Sequence, residues 1–433
     1  MKTKEKTEVQ KTVKKKGRGK KALKVLCVIL AVIVLLGAVA GVVNTVGNKG
    51  NIKKAQSFEQ VKIEEQLVPE KDENGYWTFT TDREFRVMQL TDVHIGGGFM
   101  STKKDSMALN AVAAMITAEK PDLVIVTGDV SYPVPFQAGT FNNLAAAKVF
   151  AALMEKLGVY WTLGYGNHDT EAYSYFGRED LSEFYCGEEL KYCLFETGPE
   201  EVDGYGNQVI NVKNSKGVIT QSLFVFDSHS YVDGDVLGIM WKYDNIHENQ
   251  VEWYKNTLKT LNEQNNKILK KKNSDIKSAA FFHIPLTEQK DAWYEYAENG
   301  FKDTENAKVY YGTAGESGKV VYSGIKEDNL FETMLELGST KAVFCGHDHY
   351  NNFSIEYKGI RLTYSMSVDY LAYPGIYQKG SQRGCTMITF TPEGAFDCKA
   401  ESYYQDKYVG LYDKEEVTMQ EIKPIDYAEI NFG

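Results

Sequence analysis

Five apolar runs in this chain each stop in a short turn built from Asp, His, Asn and Gly. That arrangement constrains the fold more than any other feature. The turns are "TDVH" (91–94), "GDV" (128–130), "GNHD" (166–169), "FHIP" (282–285) and "GHDH" (346–349). They close the runs "EFRVMQL" (84–90), "DLVIVTG" (122–128), "VYWTLGY" (159–165), "SAAFFH" (278–283) and "KAVFCG" (341–346). Short apolar runs rich in β-branched and aromatic residues read as strands covered on both faces. Stretches near 107–118, 144–157 and 249–263 read as helices between them, and "SLFVFD" (222–227) as a further strand. The segments "FSIEYKGIRLTYSMS" and "CTMITFTPEGAFDC" read as hairpins with Gly-containing turns. The fold class is therefore α/β, with mixed β-structure at the centre and helices flanking it. In open α/β sheets a ligand binds beyond the carboxyl ends of the strands, so five polar turns at five strand ends should converge.

Five of the seven histidines fall in these turns. Asp, His and Asn without Cys form a hard-to-borderline ligand set, suited to Mn, Fe or Zn. Asp-x-His and His-x-His would each place two side chains on one face of extended chain, because alternate residues share a face. The glycine that opens Gly-His-x-His removes a Cβ where the backbone must turn close to an ion. Two metal ions share a carboxylate in dinuclear centres, and seven ligand-type residues are at hand: Asp92, His94, Asp129, Asn167, His283, His347 and His349. Taken singly the motifs are weak, since a Gly-Asp turn or a lone buried histidine is common structure. The ordered set carries the argument.

The order D-x-H, G-D, G-N-H-D, a lone His and G-H-x-H resembles the calcineurin-like metallophosphoesterases, over residues 84–395, in the branch of the purple-acid-phosphatase-like proteins. The resemblance implies a layered fold, a dinuclear centre of two divalent or trivalent transition-metal ions at the strand ends, and hydrolysis of a small phosphate-ester substrate. Carried over position by position, it assigns Asp92, His94, Asp129 and His349 to one ion. Asp129, Asn167, His283 and His347 go to the other, with Asp129 bridging. His168 becomes the non-ligand acid, oriented by Asp169. Tyr132 stands where true purple acid phosphatases place a tyrosinate ligand, but those proteins carry D-x-G where this chain has Asp92-Val-His94, so Tyr132 reads as a non-ligand. Tyr173, His229 and Asn351 are candidate substrate contacts, and His247 reads as a solvated surface residue. Two other functions stay open: a phosphodiesterase of wall polymers or nucleotides, and a degenerate metal-binding module without catalysis.

Residues 1–24 hold eleven Lys/Arg against two Glu, and the rest of the chain carries 38 against 57 Asp/Glu, a net of −19. An acidic body lacks the cationic surface that nucleic-acid phosphates require. The basic head precedes "VLCVILAVIVLLGAVAGVV" (25–43), which has no charge. At ~1.5 Å per residue these residues span roughly 28 Å, about one hydrocarbon core. Cations on one side only place the head inside and the body outside. The expected organisation is a basic cytoplasmic tail (1–24), a transmembrane anchor (25–46), a linker (47–75), the phosphoesterase domain (76–404) and a C-terminal extension (405–433). That is a single-pass protein of the cell membrane with an extracytoplasmic catalytic domain. The competing reading is secretion after signal cleavage near Ala38-Val-Ala40. Of the six cysteines, Cys186/Cys193 and Cys385/Cys398 are close enough in sequence to pair, or stay as free thiols.

Overall fold

The computed structural model describes residues 2–417, except 236–237, 317, 319, 327, 374 and 377–382, with side chains from Lys20 onward. Side chains in the central strands divide by parity, as a pleat requires. Phe85, Val87, Leu123 and Ile125 join Leu223, Val225, Ala279, Phe281, Ala342 and Phe344 in one buried cluster. Their sequence neighbours face the other way. Met88, Leu90, Val124 and Val126 pack with the helices Thr102–Glu119 and Asn143–Leu157. Phe224, Ala280, Val343 and Cys345 pack with Glu248–Leu269 and Thr287–Glu298. The result is four layers: helices, sheet, sheet, helices.

The first sheet has five strands, ordered Phe396–Ser402, Gly384–Phe390, Phe85–Leu90, Leu123–Thr127, Trp161–Gly164. Its last three strands run parallel, and the C-terminal hairpin joins antiparallel beside Phe85–Leu90. The second sheet has nine strands, with Ile219–Val225, Lys277–Phe281, Thr340–Cys345 and Ile360–Tyr364 parallel at its centre. The five strands that precede the polar turns are thus shared between the sheets, three in one and two in the other. The strands Trp77–Thr80, Gln208–Lys213 and Ala307–Tyr311 extend the second sheet and carry no strong apolar run.

The N-terminal helix runs from Lys2 to Ala55 and is long and apolar enough to cross a membrane, its most apolar window having a mean hydropathy of 3.1. Its last turns contradict the expected linker. Asn48 Nδ2 donates to the Ala145 carbonyl at 2.9 Å, Asn51 Nδ2 to Asp105 Oδ2 at 3.0 Å, and Ala55, Phe58 and Val61 are buried in the first core. These polar residues looked like a solvated spacer, but their amides bond a carbonyl in the first turn of the helix Asn143–Leu157 and a carboxylate, and three apolar residues recur every third position. The chain after 404 also packs: Tyr408 is buried, and its hydroxyl donates to Glu119 Oε1 at 2.8 Å. Residues 418–433 of the expected extension lie outside the described residues. All six cysteines are free. Cys385 opposes Glu401 and Cys398 opposes Ile388, so that pair is out of register, and the two thiols join different cores.

Phe58→Ala should lower the stability of the body by about 3–5 kcal/mol, read as a lower urea midpoint at unchanged slope. A free spacer would leave the midpoint where it was.

Candidate metal centre

Every motif lies just past the last paired residue of its strand, where the backbone leaves the pleat. Asp92, His94, Asp129 and His347 have φ of +50°, +51°, +53° and +76°. Left-handed conformations of this kind cost non-glycine residues of order 1–3 kcal/mol each and persist only where surroundings hold them. Here Asp92 N–H donates to the Gly128 carbonyl at 3.1 Å and His94 N–H to the Asp129 carbonyl at 3.0 Å. The shared strand face expected for Asp-x-His and His-x-His is therefore not what aims these side chains; the left-handed turns do. Gly346 behaves as expected, and Gly166 does the same. A Cβ on Gly346 would lie 2.7 Å from Asp92 Oδ2, and one on Gly166 would lie 2.2 Å from Asp129 Oδ1.

All seven expected ligand residues come together, from both sheets. His283 Nδ1 lies 2.8 Å from the Thr127 carbonyl, which can only accept, so the proton sits on Nδ1. In neutral His283 the Nε2 lone pair then faces Asp129 Oδ2 at 3.2 Å and Asn167 Oδ1 at 3.1 Å. Asn167 cannot turn its amide inward, because Nδ2 donates to the Tyr231 hydroxyl at 2.9 Å. His347 Nδ1 closes this group, 3.3 Å from His283 Nε2. On the other side, His94 Nε2 lies 3.2 Å from Asp129 Oδ2, and His349 Nε2 lies 3.2 Å from Asp92 Oδ1. Ligand atoms of Asp92, His94, Asp129 and His349 all fall within 4.8 Å of one another. Asp92 Oδ1 is buried without a hydrogen-bond partner. Lone pairs converging in this way repel unless a proton or a cation stands between them. The nitrogen and oxygen donors fit two transition-metal ions, with Asp129 common to both groups.

The electrostatics agree. Burial opposes ionisation of Asp92, yet the His349 beside it holds its carboxyl down at about 2. Burial likewise opposes charge on His94 and His283, but Asp369 in the first case and Asp129 in the second raise both to about 9. Without cations the centre takes up protons instead.

His168 stands at the edge of this cluster. Its N–H donates to Asp129 Oδ1 at 2.8 Å, and its Nδ1 meets Glu171 Oε1 at 2.7 Å. Asp169, expected to orient it, does something else. Asp169 accepts from the N–H groups of Asp129 and Gly166 at 2.9 Å and of Ser131 at 2.8 Å, locking two turns together. A carboxylate occupied by three backbone donors has no oxygen aimed at the imidazole, and Glu171 takes that place. Asp348, between the two histidines of "GHDH", turns away and accepts from the Tyr364 hydroxyl at 2.6 Å.

Tyr132 lies ring against ring on His94, with centroids 4.6 Å apart, and burial followed by Asp369 raises its phenol pKa. Asn351 pins backbone: its Oδ1 accepts from Gly315 N–H at 3.0 Å and its Nδ2 donates to the Val320 carbonyl at 2.7 Å. His229 bonds Gln250 Oε1 at 2.9 Å and stacks on His247. His247 is half-buried between Asp203 and Asp244, not simply solvated. Tyr173 packs against Phe141. None of Asn351, His229 and Tyr173 lines the pocket over the cluster.

Sequence reasoning missed three groups. Asp369 lies 3.4 Å from His94 Nδ1 and 3.3 Å from His349 Nδ1, a single carboxylate behind two imidazoles, as ligating histidines require of their surroundings. Glu171 backs His168, and the Tyr231 hydroxyl donates to the same Glu171 oxygen at 3.0 Å. The only signal was position: Asp369 follows a buried strand, and Glu171 sits two residues beyond "GNHD".

Fold and centre together define a class: an α/β protein with a buried Asp/His cluster, at strand ends of two sheets, that can hold two metal ions. Residues 85–351 match the family model for calcineurin-like phosphoesterases, and the chain belongs to that family. It is 28% identical over 316 residues to a protein of Arabidopsis thaliana named probable inactive purple acid phosphatase 14, covering 68% of this chain and 73% of that one. A second Arabidopsis thaliana relative, probable inactive purple acid phosphatase 29, is 29% identical over 313 residues, with 68% and 74% covered. Phosphatase DCR2 of Saccharomyces cerevisiae is 29% identical over 294 residues, 64% of this chain and 46% of its own length. Among solved structures, a dimetal phosphatase from Danio rerio aligns with a TM-score of 0.48 at 12% identity, over 75% of this chain and 98% of that one.

Metal binding must displace the protons that His94 and His283 hold below about pH 9. Affinity for Mn²⁺, measured by titration calorimetry on metal-free protein, should therefore fall as pH falls, by up to about tenfold per unit for each proton displaced. Affinity that is flat between neutral pH and pH 9 would show that these histidines hold no proton there for the metal to displace.

Proposed function

We propose that this chain is a membrane-anchored, extracytoplasmic metal-dependent phosphoesterase that hydrolyses phosphate esters. The observation that carries this is His168, held at the mouth of the Asp/His cluster by a bond to Asp129 and backed by Glu171. Asp92, His94, Asp129 and His349 would hold one transition-metal ion, Mn, Fe or Zn, and Asp129, Asn167, His283 and His347 the other. Bound there, two such ions supply positive charge against the phosphoryl oxygens and make a water molecule acidic near neutral pH.

The chain's own residues do the rest. Glu171 accepts from His168 Nδ1, which fixes the ring and leaves Nε2 as the nitrogen that can hand a proton to the substrate. From there His168 protonates the leaving oxygen, a contribution worth roughly 10²–10⁴-fold for a general acid. Tyr243 and Tyr373 set their rings 4.3 Å from His347 and His349 and wall the approach. Among the described residues, Asp129, His168, His347 and His349 share the 230 Å³ pocket over the cluster with Tyr243, Tyr322, Tyr350 and Tyr373. The helix Lys2–Ala55, with its apolar run at 25–43 within the anchor (25–46), and the cationic tail 1–24 support attachment to the membrane with the body outside.

A second reading is favoured by the names of the plant relatives, which include the word inactive: a metal-binding module without catalysis. Retention of His168 together with all seven ligand-type residues supports the enzyme. A panel of phosphomonoesters and phosphodiesters assayed with Mn²⁺ should yield turnover. Fully metal-loaded protein that hydrolyses none of them would establish the second reading. His168→Ala should leave metal content unchanged while lowering kcat by about 10²-fold, with a smaller loss on nitrophenyl esters, whose leaving groups need little help. Glu171→Gln should show a weaker version, whereas Asp169→Asn should act through stability and metal content. Protease added to intact cells should digest the body; protection until lysis would overturn the topology.

A further inference from the structure

We propose that the face of the body around the N-terminal helix is a lipid-binding surface, seated on anionic phospholipid headgroups with its exposed aromatic residues pressed into the bilayer. The proposal rests on the reading of residues 25–43 as a membrane span. Asn44 is the first residue after that run, and it is already bonded to the body: Phe99 N–H donates to its Oδ1 at 2.8 Å, and its Nδ2 donates to the Gly139 carbonyl at 2.8 Å. There is no spacer. At ~1.5 Å per residue, Asn44 to Asn48 lie within roughly 8 Å of the end of the apolar run, the depth at which interfacial side chains sit among headgroups.

The loops gripped at that depth are the ones that expose apolar side chains. Phe136 is 88% exposed, Tyr175 65% and Met100 51%, with Phe99 and Phe141 beside them also open. They form one patch: Met100 N–H donates to the Ala138 carbonyl at 3.2 Å, Tyr175 N–H to the Phe141 carbonyl at 3.0 Å, and the Phe141 and Tyr175 rings lie 5.9 Å apart. Contiguous exposed aromatics on a soluble face mark a binding surface, and at a membrane boundary they form the interfacial belt.

Between the helix and this patch runs a groove of 730 Å³. Its helix side begins inside the apolar run, at Gly37, Ala40 and Gly41, and positions for a Cβ on either glycine meet open space. Lys49 and Lys148 are on its lining, and among the described residues no Asp or Glu lines it. An apolar floor at membrane depth under a cationic rim matches one acyl chain and its anionic headgroup. The same face reaches the centre: Gln137, next to Phe136, donates to the Leu371 carbonyl at 3.2 Å, and Leu371 N–H donates to Asp369, which backs His94 and His349. Seating the patch holds the metal centre at one height above the bilayer and presents it to phosphate esters at the membrane surface.

The test uses the full chain in vesicles of phosphatidylcholine with a minority of phosphatidylglycerol. A bimane label at Phe136→Cys, in a Cys27→Ser, Cys186→Ser background, should lose fluorescence to doxyl-labelled lipid and be spared by aqueous iodide. A label at Val68→Cys, also exposed, should show the reverse. Omitting phosphatidylglycerol, or replacing Lys49 and Lys148 by Gln, should reduce doxyl quenching at position 136, and indifference to both overturns the headgroup assignment. A label on native Cys27, within the span, separates the two ideas. If Cys27 is not quenched by doxyl lipid, the anchor itself fails. If Cys27 is quenched while position 136 answers only to iodide, the lipid-binding face is overturned and the anchor stands. Shielding of position 136 from both quenchers, with doubled particle mass, assigns the groove to a second copy and also overturns the proposal.

Discussion

Asp129 Oδ2 lies 3.2 Å from Nε2 of His94 and 3.2 Å from Nε2 of His283, so the two sheets meet at one carboxylate. His94 follows a strand of the five-stranded sheet, and His283 follows a strand of the nine-stranded sheet. The other oxygen, Oδ1, takes the N–H of His168, while Asp129's own N–H is spent on Asp169. Asp92, Asp129 and Asp369 are all buried beside these imidazoles. Packing three carboxylates there is unfavourable unless cations answer them, so the centre couples folding to the binding of protons or metal.

Much of the surrounding structure serves to hold that carboxylate and its neighbours in backbone conformations they would not choose. Four of the seven ligand-type residues, Asp92, His94, Asp129 and His347, are left-handed. The glycines at 166 and 346 leave room where a methyl group would strike Asp129 or Asp92. Gln89, between the sheets, donates from one amide nitrogen to Thr127 Oγ1 at 2.9 Å and to the Cys345 carbonyl at 3.0 Å, tying two motif-bearing strands together at their ends. Strain of this kind is kept where geometry must be set before a ligand arrives.

The N-terminal helix belongs to the same construction. Asn51 donates to Asp105, and Asp105 accepts the N–H groups of Gly96 and Gly97 at 2.9 and 3.1 Å, immediately beyond His94. Burial pushes the Asp105 carboxyl up to about 7, against four hydrogen bonds that favour its charge. The helix that carries the apolar run is therefore packed into the scaffold of the metal centre. This packing leaves little freedom between the helix and the site.

The strand-end motifs were legible because their signal is local: an apolar run of fixed period, a turn residue, and ligand-type side chains within four positions. That was enough for the α/β class and for Asp92, His94, Asp129, Asn167, His283, His347 and His349 as a set. The division into two sheets was not legible, since nothing in a strand's own residues names its neighbour, and Gln208–Lys213 or Ala307–Tyr311 pair through backbone rather than side-chain pattern. Nor was the exchange of roles between Asp169 and Glu171, two carboxylates within three positions of His168, of which only one has an oxygen left to offer. Asp369 reaches His94 across 275 residues. The sequence by itself determined which residues could bind metal and where the backbone would turn, because both depend on a few adjacent side chains. Only the tertiary structure decided which carboxylate backs which imidazole, because a hydrogen bond is chosen by approach within about 3 Å, and folding sets that approach between residues far apart in the chain.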